Sequence, residues 1–427
     1  MALERLRFTL LIASLIASLT FAALLAPAPR TLHAQDGESL PVPPGRLLVG
    51  DDGGLYAMRA DGSDKTVLVE ESESGCWLRD GVWSRDRRQV VYTRICGGGA
   101  PTDWHAPNRT ATIHLYDVAT AGASELIPND GAYQDYVGGW SPDGEQLVIY
   151  SNRGGEHYNL YLYDFASDET TQLTDFQDDI GRVTFDPTGR YLLYNRYVIT
   201  ASDVRWEIRA LDLTSETETR VAIGMTPRWS PDGEWIAYVT EGETADVFVM
   251  PAECILSGAE CNPTSNARNI TQTPGIAERE PLWSPDQTQI AYLRDTNPEA
   301  ATTTWDIYRQ EVRTGRLERV TNTGDVSERH TDWEPVEAER ADVRAELPVI
   351  VRIIARDGTV NLREQPSTGS DIIGVVNFGQ LMFVQGANAA GDWYRITLPD
   401  DGAQAWVFAS LTDAVAGDPA TVPAIQD

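Results

Sequence analysis

Trp229-Ser230-Pro231-Asp232-Gly233-Glu234-Trp235-Ile236-Ala237-Tyr238 decides the fold. Pro231 and Gly233 supply a fixed and a positive φ, so the chain reverses between an aromatic that ends one strand and an apolar run that forms the next. The pattern returns as Trp83-Ser84-Arg85-Asp86, Trp140-Ser141-Pro142-Asp143-Gly144, Phe185-Asp186-Pro187-Thr188-Gly189 and Trp283-Ser284-Pro285-Asp286, with a degenerate copy at Trp333-Glu334-Pro335. Successive anchors lie 57, 45, 44, 54 and 50 residues apart. That is the period of a four-stranded propeller blade with variable loops.

Nine or ten residues after each anchor a tyrosine closes the apolar strand: Tyr92, Tyr150, Tyr194, Tyr238 and Tyr292. This constancy predicts one register throughout. Third strands follow at Asn159–Asp164, Asp246–Met250 and Asp306–Arg309, and short fourth strands at Gln172–Thr174 and Asn269–Thr271. Arg46–Val49, Leu55–Arg59 and Val67–Val69 have no anchor before them, whereas Trp333 has no strands after it. The two ends therefore complete one blade, and the reading is an all-β, six-bladed propeller over 46–336, closed by its shared termini so that no ring edge is left open.

The tandem W-S-P-D-G units, each followed by an I-A-Y-like and a D-I-Y-like strand, resemble the TolB-type propeller, also called the WD40-like or PD40 repeat family. The resemblance runs from Gly45 to Val336 and implies that the repeated Trp and Asp hold blades together. Arg85 stands where the turn proline belongs, and the last copy lacks Asp-Gly, so local turn geometry departs there.

A charged, Ala-rich connector over 337–348 separates the ring from short alternating strands that predict a small β-barrel at 349–413. Its core must use some of Trp393, Trp406, Phe378 and Phe383, because about 65 residues is near the lower limit for an independent fold. Val360-Asn361-Leu362-Arg363, Pro366-Ser367-Thr368, Ile372-Ile373-Gly374, Gly391-Asp392-Trp393-Tyr394-Arg395-Ile396 and Ala405-Trp406-Val407 resemble the bacterial SH3 family (SH3b, SH3 type 3). That resemblance implies attachment to cell-wall peptides or other ligands, with Asn361, Arg363, Trp393, Tyr394 and Trp406 as candidates. The competing role is structural: Asn361 and Arg363 holding a turn, and both tryptophans filling the core. Residues 414–427 read as a disordered tail.

Arg5 and Arg7 precede an apolar run from Phe8 to Ala26, the layout of an export signal over 1–34 with a break after Ala34, followed by a linker at 35–45. An uncleaved membrane anchor is the alternative. The expected location is extracellular or in the cell envelope, which means the periplasm where an outer membrane exists. With 34 Lys and Arg against 64 Asp and Glu, the net charge of -30 excludes nucleic acid and anionic membrane surfaces as partners. A monomer that binds a protein or peptide, or wall material, is expected, and no cofactor. The four cysteines pair locally as Cys76–Cys96, equidistant from the turn at Asp86, and Cys254–Cys261; their spacing lacks the pattern of a metal site.

No G-x-S-x-G, H-E-x-x-H, Walker or Rossmann pattern occurs, so no catalytic or metal-ligating set is assigned. The enzyme alternative is a metal-assisted lyase or hydrolase at the propeller axis built on His330, beside Arg329 and Asp332; an envelope sensor or transport component is another. Residues just before each anchor open the inner strands and are expected to line a mixed-charge channel mouth: Arg79, Asp80, Asp135, Tyr136, Arg182, Glu278, Arg279, Glu328, Arg329 and His330. Such a mouth suits a peptide or a carboxylated sugar. It suits internal ion pairs equally. Asp51-Asp52-Gly53 and Asp61-Gly62-Ser63-Asp64 read as turns before they read as Ca²⁺ loops.

Overall fold

The computed structural model describes residues 39–427 except 52, 98–107, 201–202, 243–244, 259–260, 262–266, 274, 299–303, 313–314, 324–328, 337–348, 355–358, 378–380, 398–403, 417–418, 420–421 and 426–427. The export signal, the charged connector and Glu328 lie outside the described residues. Among the described residues no helix is long and apolar enough to cross a membrane.

Six four-stranded antiparallel sheets form the blades. Their inner strands are Cys76–Trp83, Asp135–Trp140, Ile180–Phe185, Met225–Trp229, Glu278–Trp283 and Arg329–Trp333, which we number as blades 1 to 6. Arg329–Trp333 pairs with Arg46–Asp51, so the two ends of the propeller share blade 6. Each inner strand packs on the next, and the inner strand of blade 6 packs on that of blade 1.

The repeat has a local cause. Ser230 Oγ accepts from Trp235 N at 3.0 Å and donates to Asp232 at 2.6 Å, while Asp232 accepts from Glu234 N. The same bonds hold Ser84 with Asp86, Ser141 with Asp143 and Ser284 with Asp286. In blade 3 Asp186 replaces the serine and accepts directly from Tyr191 N. Where Arg85 replaces proline, its guanidinium donates to the Pro142 carbonyl of the neighbouring turn at 2.9 Å. Behind the turns Tyr92, Tyr150, Tyr194, Tyr238 and Tyr292 are all buried between blades. A second repeated device ties the outer strands together: Thr174, Thr271 and Thr321 accept from Leu160, Val247 and Ile307 N–H groups, and their hydroxyls meet Asn159, Asp246 and Asp306.

Two sequence expectations change, and one detail is added. The linker at 35–45 is not free over its described part: Leu40 is buried, and fully buried Arg309 donates to the carbonyls of Leu40 and Pro41. The reason is that Arg309 also pairs with Glu318 at 2.7 Å and needs further acceptors away from water. Of the expected tail, residues 414–416 end a strand, Thr412–Ala416, that pairs with Ile350–Ile353, and Ile425 N bonds Ala387 O at 2.8 Å. The added strand covers an otherwise open sheet edge. A short helix, Glu253–Ser257, interrupts the all-β pattern inside the insertion of blade 4. Both disulfides are present, Cys76–Cys96 directly across the blade 1 hairpin and Cys254–Cys261 around that helix.

The small domain is a seven-stranded sheet in the order Ile372–Asn377, Thr359–Arg363, Gln404–Phe408, Trp393–Thr397, Leu381–Ala387, Ile350–Ile353, Thr412–Ala416. Val351, Ile353, Val360, Leu362, Ile396 and Val407 fill it.

Candidate functional site

Every inner strand carries a β-bulge two or three residues before its anchor. The shifts fall between Arg79/Val82, Val137/Gly139, Gly181/Val183, Met225/Arg228 and Arg279/Leu282, and in blade 6 opposite Leu48/Val49. A bulge re-aims the side chains it contains. Asp80, Arg182, Thr226 and Glu280, each third before its anchor, have φ of 53°, 41°, 49° and 53°. Such left-handed backbone costs a non-glycine residue about 1–3 kcal/mol and persists where the surroundings hold it.

At Asp80, Arg182 and Glu280 what holds it is charge. Arg182 of blade 3 bridges Asp80 of blade 1 and Glu280 of blade 5, with both N–O distances at 2.6 Å. Three alternate blades thus meet over the axis. Burial opposes the charge on Arg182, but Asp80 and Glu280 outweigh it and hold its pKa above the usual arginine value. The space between Asp80, Val82, Val137, Gly138, Arg182, Val183 and Arg228 leaves no room for a water molecule. The axis is therefore plugged at this level.

Below the plug, burial raises the Asp332 carboxyl to about 6, although it accepts from Trp83 N at 2.8 Å and feels Arg228. Above it, Arg79 is buried beside Asp80 at 3.9 Å. Burial, with Arg79 and Arg182 as cationic neighbours, lowers half-buried Arg329 to about 10.

Of the residues expected at the mouth, the structure brings together Arg79, Asp80, Arg182 and Arg329. Tyr136 borders them, stacked on Tyr150 at 5.0 Å. Asp135 and Glu278 do not line the mouth. Each sits five residues before its anchor, where strand alternation turns it into its own blade. Asp135 meets Asn129 and Arg153 there at 3.0 and 2.9 Å. Glu278 meets Thr273, and burial pushes its carboxyl up to about 7. Arg279 is exposed over the Trp305 ring, 4.8 Å from its centroid. His330 pairs through its backbone with Val49. Sequence reading missed Glu280 and Arg228; counting back three residues from every anchor would have found Glu280 beside Asp80 and Arg182.

In the small domain Trp393 and Trp406 are buried, with Trp393 edge-on to Phe408 at 5.2 Å. Tyr394 is half-buried against the core, Arg363 pairs through its backbone with Trp406 while its guanidinium donates to the Ser370 carbonyl at 2.5 Å, and Asn361 is exposed. The turn acids Asp51 and Asp61 accept from Gly53 N and Ser63 N, which is turn chemistry.

Residues 358–413 match the bacterial SH3 domain family. The crystal structure of TolB from Acinetobacter baumannii superposes with a TM-score of 0.50 at 14% identity, over 68% of this chain and 67% of that one. The chain joins a propeller of the TolB fold to a bacterial SH3 domain. The Tol-Pal system protein TolB of Francisella tularensis subsp. holarctica is 23% identical over 244 residues, 55% of this chain and 48% of its own length. An uncharacterized protein of Agrobacterium fabrum is 26% identical over 181 residues, 41% of this chain and 59% of that protein. The chain thus spans about half the length of the curated relatives it matches. Both disulfides fit an oxidising compartment.

Proposed function

We propose that this is an exported, non-catalytic binding protein of the cell envelope, in which the propeller is a platform for a protein or peptide and the SH3 domain a tether to wall material or a second ligand. The observation that carries the reading is the Asp80–Arg182–Glu280 bridge. It fills the axial position where a buried reaction chamber would need space, and so leaves the propeller's faces for contact. The join of a TolB-type propeller to a bacterial SH3 domain supports it, as do two disulfides and a net charge of -30.

The test is retention of the protein, with and without residues 349–413, on purified cell wall and envelope extract, alongside metal analysis. Wall retention that disappears with the deletion supports tethering. No retention by either form, together with a stoichiometric metal, overturns the reading in favour of an axial enzyme.

A further inference from the structure

Blade 3 differs from its neighbours in length. Its second and third strands, Tyr191–Ile199 and Val204–Asp212, run for 9 residues each. They carry the pairs Tyr197 with Trp206, Val198 with Arg205 and Ile199 with Val204 beyond the point where Arg196 meets Ile180, the first residue of the inner strand. In blades 1, 2 and 4 the corresponding strands end level with the inner strand, at Cys76 with Cys96, Asp135 with Ser151 and Met225 with Val239. A two-stranded hairpin thus stands clear of blade 3 at the end opposite its Asp186 turn.

The two faces of this hairpin are unlike. Strand alternation puts Arg196, Arg205, Arg209 and, across the sheet, Arg220 on one side, where Asp178, Asp203, Glu207 and Glu218 engage all of them. The other side holds Tyr197, Ile199, Val204 and Trp206. The Tyr197 and Trp206 ring centroids lie 5.0 Å apart, and beyond them Ile199 and Val204 are 64% and 51% exposed. Lower on this same side Leu193, Ile208 and Ala210 are buried with Trp229 and Ile236 of blade 4. The hairpin carries that apolar face past the top of blade 4, so its outermost residues are left in water. A single exposed aliphatic is ordinary, but four adjoining apolar side chains on one projecting face mark a contact surface.

Charge selects the occupant. Glu241, exposed on the neighbouring hairpin of blade 4, accepts from Trp206 N and so fixes a carboxylate at the edge of the apolar face. Among the described residues no cation pairs with it. A second copy of a chain with net charge -30 would bring acid to acid, and a lipid surface would have to take in exposed Asp203 at the hairpin's far end. A segment with apolar side chains and a lysine or arginine beside them satisfies both the face and the carboxylate.

We propose that the hairpin face of Tyr197, Ile199, Val204 and Trp206 docks a short apolar and basic segment of a partner protein, whose Lys or Arg pairs with Glu241. The site rests on the platform reading above and gives the platform a place and its partner a chemical class. The aromatic pair anchors the segment, and the carboxylate sets its register.

The experiment immobilises the full chain, passes a phage library of random peptides over it and sequences what is retained. Retained peptides should be enriched in Lys or Arg adjoining aliphatic or aromatic residues and depleted in Asp and Glu. Ile199→Asn combined with Val204→Asn should weaken the selected peptides at least about ten-fold, as loss of a central apolar contact does. Glu241→Gln keeps an acceptor for Trp206 N and should remove the salt dependence of binding. Val67→Asn, at an exposed aliphatic of blade 6, should leave affinity unchanged. No enrichment, enrichment of acidic peptides, or full affinity in the double variant overturns the proposal. Self-association in sedimentation, or binding to phosphatidylcholine vesicles, that the double variant abolishes also overturns it, because the face then belongs to a second copy or to a membrane. Peptide composition is read on the unaltered chain, so it stands even if a variant folds poorly. Envelope proteins retained equally by the parent and the double variant would sink this inference and leave the platform reading intact.

Discussion

The turn rim and the axis are built by the same six inner strands under opposite rules. At the rim a serine–aspartate pair recurs with nearly constant geometry, as in Ser84–Asp86, Ser141–Asp143, Ser230–Asp232 and Ser284–Asp286. At the axis the repeated bulge position holds a different residue in each blade, Asp80, Arg182, Thr226 and Glu280 among them. Repetition marks where every blade needs the same bond for itself. Variation at a repeated position marks where blades meet one another, and there only complementarity across the ring matters.

Arg182→Met tests that division hardest. Removing the bridging cation strips Asp80 and Glu280 of the charge they share, so propeller unfolding in urea should lose about 3–5 kcal/mol. A loss below about 1 kcal/mol would mean that the axis is as dispensable as a surface pair.

Ser230→Ala addresses the rim. It removes the acceptor of the Trp235 N–H between two fully buried residues, Ser230 and Trp235, and should cost about 1–3 kcal/mol. Ser284→Ala should match it within about 0.5 kcal/mol if the repeat is energetically as well as geometrically uniform.

Glu278→Gln acts with the opposite sign. Burial raises this carboxyl from 4.5 to about 7, against the pull of Thr273 and Arg294, so the folded protein holds a proton that the unfolded chain releases above about pH 4.5. Its contribution is present below pH 4.5 and fades as pH rises through about 7. The variant should therefore be more stable than the parent at pH 8, by about 1–2 kcal/mol, and show a flatter stability profile between pH 5 and 8 in denaturation series. An unchanged slope would place the proton elsewhere.

Arg85→Ala should change least. The side chain is exposed and contributes one bond to the Pro142 carbonyl, so thermal unfolding should report no more than about 0.5 kcal/mol. A larger effect would show that the turns act as a ring and not as separate hairpins.

Much of the fold was legible because it is local. Each hairpin turn, buried tyrosine and cysteine pair is fixed by residues a short distance apart in the chain, and Cys76 opposite Cys96 follows from one register. The SH3 strands follow from alternation, and the burial of Trp393 and Trp406 from the small core they had to fill. The candidate site was legible only in part. Counting from the anchors reached Asp80 and Arg182 but also took in Asp135 and Glu278, which face inward within their blades.

The sequence by itself determined the blade number, the shared sixth blade and the cysteine pairs, since periodicity and spacing are properties of neighbouring residues, and its resemblance to a known family pointed to the SH3 domain. Only the tertiary structure decided that Arg182 meets Glu280 across 98 residues, that Arg309 binds Leu40 across 269, and that the tail adds a strand. Those contacts join bulges and edges at matching heights on different blades. Their partners are chosen by how the ring brings separate strands together, which no single repeat encodes.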